Sequence, residues 1–300
     1  MDAVKVGHAI KTLRLKIGYT QHRLAENLGV TDQAVSKWER GLSVPDISII
    51  TKLSLLLNVD VDTLLEGNIT YLDKNWQGLL LLRESADIFS GSEVYGKPLV
   101  YLYLSYFMLA GIGDIFISCP ERDRDYIVSR LKDGSHLGIR LHFLESGRAC
   151  LPQPGNTMVV FRNPFVYGPN LTKYFQRAMS RRRGISILTV TKAPGDNEPM
   201  VSYDSYRVVR AFESDGIQQC CAPIVFFPKR FSDQIVNVED ITRLEPLYAE
   251  PMGNGMIEYS IMDEDDLWDT SVFLRFLKKQ LGKEIYDPEE IALKRNFICK

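Results

Sequence analysis

The segment from Thr20 to Gly41, TQHRLAENLGVTDQAVSKWERG, constrains the fold more than any other part of the chain. It spells two short helices joined by a tight turn. Thr20 is a good N-cap for a helix running to Leu28, with Leu24, Ala25 and Leu28 facing inward. Gly29 supplies the turn, because a residue without Cβ takes positive φ at little cost. Thr31 caps the next helix, which continues to Arg40 and stops at Gly41. Ala34, Val35 and Trp38 are its buried or half-buried positions, and its other side chains are polar and point outward. A short helix with varied polar side chains on its outer face is suited to the major groove of DNA.

The flanks extend this bundle. Val6, Ile10, Leu13 and Ile17 recur at helical spacing and predict a first helix over residues 3–17, ended by Gly18. Pro45-Asp46 opens a fourth helix with Ile47, Ile50, Leu53, Leu56 and Leu57 as its apolar stripe. Asp60 or Asp62 begins a short fifth, ending near Gly67. Charge is uneven along the chain. The net charge is −2, so the whole is not a general polyanion binder, yet residues 1–42 hold seven Lys and Arg against four acids. A local positive face is what phosphate contact requires.

Five short helices with glycine at the second turn resemble the helix-turn-helix domain of the Cro and lambda-repressor (XRE) type. The resemblance runs from about Val6 to Gly67 and includes "PDISII" and "LLNVDVDTLLEG" after the central motif. It implies roles for matched positions. Gln21 would bond a backbone phosphate. Thr31, Asp32, Gln33, Ala34, Ser36 and Lys37 would lie at or near base edges, with Gln33 suited to adenine and Lys37 to guanine or phosphate. Arg40 would touch phosphate. Asp32 either accepts from cytosine N4 or simply caps. Trp38 reads as core, and His8 and His22 as surface residues. One such domain makes few phosphate contacts, so useful specificity calls for two copies on paired half-sites and hence a dimerising element.

At 300 residues the chain has room for two domains. With 45% hydrophobic and 25% charged residues it has an ordinary globular composition. The five Cys form no CxxC pair and His is scarce, which argues against a zinc site or a disulfide framework. No uncharged apolar run reaches about 18 residues, and the start is not a signal or transit sequence. The expectation is a cytoplasmic protein without membrane span or cofactor.

Beyond an expected linker at residues 69–75, strands alternate with helices. The strands are WQGLLLL, DIFISC, IRLHFLE, TMVVFRN and ISILTVTK; VYGKPLVYLYLSYFMLAGI reads as a loop and an apolar helix, and further helices lie near residues 122–131 and 170–181. Such alternation implies a mostly parallel sheet covered on both faces. The segments "YGKPLVYLYLSYFMLAGIGDIFIS", "LKDGSHLGIRLHFLE", "VVFRNPFVYGPNLTKYF", "VEDITRLEPLY", "LWDTSVFLRF" and "YDPEEIALKRNFI", in this order, resemble the sugar-1-phosphate nucleotidyltransferases of the glucose-1-phosphate thymidylyltransferase type. The expected architecture is therefore a small all-α bundle, residues 1–68, followed over residues 76–300 by a Rossmann-like α/β domain with a mixed, mostly parallel sheet.

The residues that the resemblance makes responsible for chemistry are altered. The family has a Gly-rich phosphate loop with an Arg and a Lys after the first strand. Here that strand runs into RESADIFSGSEV, and Arg83 is the only base before Lys97. The family holds Mg²⁺ with two Asp; here the positions are Asn163 and Asp269, and Arg162 stands where the family has Gly. Ser214 replaces the Lys that would follow Glu213. Lys97, Asn163, Glu213 and Asp269 are the remaining candidates for holding a nucleotide sugar or sugar phosphate. Two of these also have a plainer reading, Lys97 as a surface remnant and Asp269 as cap of a helix beginning near Thr270; nearby, MDEDD reads as a solvated loop and Cys220-Cys221 as strand core. The expectation is a homo-oligomeric DNA-binding regulator whose second domain has lost catalysis. The alternatives are an active nucleotidyltransferase carrying a DNA-binding domain and a scaffold for another sugar-pathway protein.

Overall fold

The computed structural model describes residues 2–57, 61–66, 75–82, 92–145, 151–181, 183–191, 200–204, 208–211, 219–238, 240–281, 286–295 and 297–298. The chain forms two compact units, Met1–Tyr71 with Leu293–Asn296 and Leu72–Ala292 with Phe297–Lys300. The expected linker, apart from Asn75, lies outside the described residues, as do Asp60, Arg83, Glu213 and Ser214.

The first unit holds α1 (Ala3–Lys16), α2 (Gln21–Leu28), α3 (Asp32–Glu39), α4 (Ile47–Leu56) and α5 (Val61–Glu66). Side chains set the starts. Thr20 Oγ1 accepts from Arg23 N at 3.1 Å, Thr31 Oγ1 from Ala34 N at 3.2 Å, and Asp46 Oδ1 from Ile49 N at 3.0 Å. Each satisfies a backbone donor that the first helical turn leaves without partner. Gly29 closes α2 at φ 68, ψ 37, a left-handed conformation. Val6, Ile10, Leu13, Leu24, Leu28, Val35, Trp38, Ile50, Leu53, Leu57 and Leu64 form one core. Two of the expected apolar positions do not join it. Ile17 is the exposed C-cap of α1, and Ile47 is 84% exposed. Ile47 is the first residue of α4, beyond the end of the stripe begun by Ile50. Helix α3 ends at Glu39, with Arg40 as its C-cap and Gly41 at φ 69.

The second unit begins with β1 (Trp76–Leu81), the hairpin β2 (Glu93–Val94) and β3 (Lys97–Pro98), α6 (Leu99–Ala110), β4 (Asp114–Ser118), α7 (Glu121–Leu131), β5 (Arg140–Phe143), β6 (Asn156–Phe161), β7 (Pro164–Tyr167), α8 (Leu171–Ser180) and β8 (Ile185–Val190). It continues with β9 (Met200–Tyr203), β10 (Val209–Ala211), β11 (Gln219–Phe227), β12 (Leu247–Pro251), β13 (Ile257–Ser260), α9 (Glu264–Leu281) and, up to Ala292, α10 (Pro288–Lys294). Strands β5, β4, β1 and β6 pair in that order, all parallel. β11 enters antiparallel to β6 and β8, and β12 returns parallel to β8. The result is the expected mixed, mostly parallel sheet.

Both faces of that sheet are covered, as expected, but by unlike layers. Side chains alternate across a strand, so Leu80 faces one layer and Leu79 and Leu81 the other. Leu80 joins a core with residues of α6, α7, α8 and α9. Leu79 and Leu81 pack instead against Ile235, Val238, Ile241 and Leu244. Those residues come from 3-10 turns at Lys229–Asn237 and Ile241–Arg243 and their ends. The crossovers β1–α6–β4 and β4–α7–β5 step the same way across the sheet, and a shared right hand places both helices on one face.

The start of α9 is corrected. Only Met262 and Asp263 of the acid-rich MDEDD precede the helix: α9 begins at Glu264, and Asp263 Oδ1 accepts from Asp266 N at 2.9 Å. Acids in a first turn complement the positive end of the helix dipole. Asp269 therefore lies within the helix rather than capping it.

Candidate functional site

The outer face of α3 is built from its caps inward. Val35 and Trp38 are buried, Ala34 and Ser36 half-buried, and Thr31, Asp32, Gln33, Lys37 and Arg40 exposed. Gln33 and Lys37 are four residues apart and share one face. Arg40 is tied to its own helix, with Nε donating to Ser36 O at 3.2 Å. Thr31 rather than Asp32 caps α3. Asp32 instead faces α2: its Oδ2 lies 3.0 Å from Nδ1 of His22, which is exposed as expected, like His8. An Asp32 carboxylate engaged by His22 has less capacity to accept from a base.

Beneath α3 lies an ion pair that its residues do not announce. Arg14 and Glu39, 25 positions apart, are both buried. Arg14 Nε donates to Glu39 Oε1 at 2.5 Å and Nη2 to Oε2 at 3.0 Å, while Nη1 donates to Tyr19 O at 2.6 Å. This fork-on-fork geometry is the strong form of a charged hydrogen bond. Gln21 completes it, with Nε2 donating to Glu39 Oε2 at 2.7 Å. The contacts join α1, the α1–α2 turn, the start of α2 and the end of α3, so α3 is held at a fixed angle. An amide nitrogen has two protons; Gln21 thus keeps a second donor while its orientation is set from below.

In the second unit the structure gives each described ligand candidate a separate setting. Lys97, on β3, is not a surface remnant. Its Nζ pairs with the buried carboxylate of Asp287. Asn163, 9% exposed, follows β6, and both Arg162 and Asn163 take left-handed backbone, φ 57 and φ 48. That conformation is costly for a residue with a Cβ. Asn163 O accepts from Ile261 N at 2.9 Å, and the Arg162 guanidinium lies 5.5 Å from the Phe161 ring centre. Asp269 is exposed within α9. A buried neutral amide and an exposed helical carboxylate do not fit a magnesium ion held by two carboxylates. No cluster of three or more His, Cys, Asp or Glu suited to a metal ion occurs among the described residues. Cys220 and Cys221 lie buried in β11, and burial pushes the Cys221 thiol far above its usual range. No helix of the described residues is long and apolar enough to cross a membrane.

The Helix-turn-helix family model (HTH_3) matches residues 10–64. The HTH-type transcriptional regulator YonR of Bacillus subtilis, a prophage-derived protein, is 35% identical over 103 residues, covering 33% of this chain and 92% of that protein. A glucose-1-phosphate thymidylyltransferase of Xanthomonas campestris is 23% identical over 235 residues, covering 68% of this chain and 79% of the enzyme. Among solved structures, a Bacillus anthracis protein assigned as a glucose-1-phosphate thymidylyltransferase, in complex with sucrose, superposes with TM-score 0.55 at 11% identity over 67% of this chain and 95% of that one. At that identity the likeness shows the fold alone. The chain thus belongs, through its first unit, to the HTH_3 helix-turn-helix family, and in the same polypeptide carries a second unit with the nucleotidyltransferase fold.

Proposed function

We propose that this chain is a sequence-specific DNA-binding transcriptional regulator, and that its second unit joins two copies and senses a nucleotide sugar or sugar phosphate without catalysing transfer. The observation that carries the DNA-binding half is the exposed Gln33–Lys37 face of α3, held in place by the buried Arg14–Glu39–Gln21 network. Gln33 presents the donor and acceptor pair that adenine needs, and Lys37 and Arg40 supply positive charge beside it. Selection of bound duplexes from a random pool gives the operator. On that operator Gln33→Ala costs about 1–3 kcal/mol and relaxes choice at one base pair. Lys37→Ala weakens binding and, if it meets phosphate, lowers the salt slope by about 1. If neither substitution changes affinity or sequence choice, α3 does not read DNA.

Loss of catalysis is supported by the donor set. Asn163 removes a full negative charge from a divalent-ion position, and Arg162 adds a positive one beside it. The ammonium of Lys97 is engaged by Asp287. With magnesium, nucleoside triphosphates and several sugar phosphates, no pyrophosphate is released. Turnover that disappears in Asp269→Ala would establish an enzyme instead. Sensing requires a ligand that binds one arrangement of the two readers more tightly than another. Titration calorimetry with nucleotide sugars and sugar phosphates tests it, and absence of heat for all of them leaves the second unit as a joining element.

A further inference from the structure

Helix α9 has two unlike faces. Its inner face is fastened: Leu267, Thr270 and Leu274 are buried, and the Phe273 ring meets Phe165 at 5.8 Å and Tyr167 at 5.3 Å. Ser271 Oγ accepts from Tyr95 N at 3.1 Å, and Thr270 Oγ1 lies 2.6 Å from the Tyr259 hydroxyl. Its outer face carries Trp268, Val272 and Phe276, which are 66%, 46% and 56% exposed. Spaced four apart, these form a single ridge along one side of the helix. Three large apolar side chains in one exposed row mark an interaction surface rather than scattered surface hydrophobes.

The charges around the ridge are sorted by position. Asp265 and Asp269 lie on the exposed side of the first half, Arg275 and Lys279 on the exposed side of the second. About Val272 the face mirrors itself: Trp268 and Phe276 stand four residues to either side, Asp269 and Arg275 three, Asp265 and Lys279 seven. A surface whose two ends carry opposite charge around an apolar centre is its own complement under a two-fold rotation. A uniformly acidic or basic partner would meet repulsion from one half of it.

We propose that a second copy of this chain covers the outer face of α9, the two helices running antiparallel about a two-fold axis at Val272. The ridges pack side by side into each other's grooves, the geometry of i±4 ridges that cross at about −50°. The acidic half of each helix then lies against the basic half of its mate, whereas a parallel pairing sets like charge on like. The proposal rests on the reading that the second unit joins two readers, and names the surface that does so.

Sedimentation of the full chain tests it. The wild type is a dimer at micromolar concentration, and Trp268→Glu with Phe276→Glu raises the dimer dissociation constant about 100-fold or more, as loss of central aromatic anchors does. Circular dichroism of that variant stays unchanged, since both side chains are outside the core. Asp265→Lys with Asp269→Lys also weakens the dimer, and adding Arg275→Glu and Lys279→Glu restores it. Under mild oxidation Val272→Cys links to itself as a dimer and Asp265→Cys does not. A monomeric wild type, a dimer indifferent to the two glutamates, or equal linking at both cysteines overturns the proposal. None of these readouts contains DNA. An α9 dimer without duplex affinity therefore removes the regulator and leaves the seam, and a DNA-binding dimer indifferent to α9 does the reverse.

Discussion

Arg14→Met destabilises the first unit by about 3–5 kcal/mol, the usual cost of breaking a buried ion pair from one side. The substitution keeps most of the apolar stem, so little packing is lost. It leaves the Glu39 carboxylate buried with only the Gln21 amide as its described partner, and it leaves Tyr19 O without the Nη1 donor. Small domains have on the order of 5–15 kcal/mol in total, and one this short lies at the low end. The loss is therefore large enough to unfold much of the reader while the second unit stays folded. Hydrogen exchange measured by mass spectrometry on the full chain separates the two: peptides of α1, α2 and α3 lose protection and the β1 and β6 peptides keep theirs. Arg14→Lys falls between, because an ammonium lacks the two-pronged donor geometry. Arg14→Met combined with Glu39→Leu recovers part of the loss, since removing both charges removes the uncompensated one. Unchanged protection in the single variant would mean that the pair contributes nothing to holding α3.

This pair shows where the sequence is silent. Arg14 and Glu39 stand in helices full of charged residues and nothing local distinguishes them from Lys11 or Glu26, both of which face solvent or nearly so. Only the crossing of α1 with α3 brings them together. The helix starts, by contrast, were legible because capping is local: Thr20, Thr31 and Asp46 each bond a backbone N–H three residues on. The same division holds in the second unit. The buried strands β1, β4, β6 and β8 are legible as apolar runs. Strand β7 is not, because its partner β13 comes about ninety residues later and neither run is long. Acids misled at α9, where Glu264, Asp265 and Asp266, read as part of a loop, form the first helical turn. The self-complementary spacing about Val272 was present in the sequence, yet it has meaning only once the structure shows which side of α9 is bare.

Gly7→Ala is the sharper test of how α3 is seated. Within a helix this exchange ordinarily stabilises by about 1 kcal/mol. Here α1 crosses α3 so closely that a Cβ on Gly7 would stand 1.9 Å from Trp38 O, 3.0 Å from the Trp38 carbonyl carbon and 3.0 Å from Gly41 N. All three are backbone atoms, which cannot rotate aside as a side chain does. The helices must part, stretching the Arg14–Glu39 contacts as they move. Overpacking of this kind costs about 1–3 kcal/mol and occasionally more, and the backbone identity of the obstacle places Gly7 at the upper end. The expected net loss is about 2 kcal/mol. Gly29→Ala provides the comparison: nothing lies within 4 Å of its Cβ position, so its cost is that of a left-handed residue alone, about 1–2 kcal/mol. The two variants separate in DNA binding. Gly29→Ala lowers stability with α3 in place, and its folded fraction binds the selected operator as the wild type does. Gly7→Ala displaces α3 against α1 and weakens binding even where it remains folded. If Gly7→Ala instead gains the helix-propensity increment and binds normally, the close crossing of α1 and α3 does not set the position of α3.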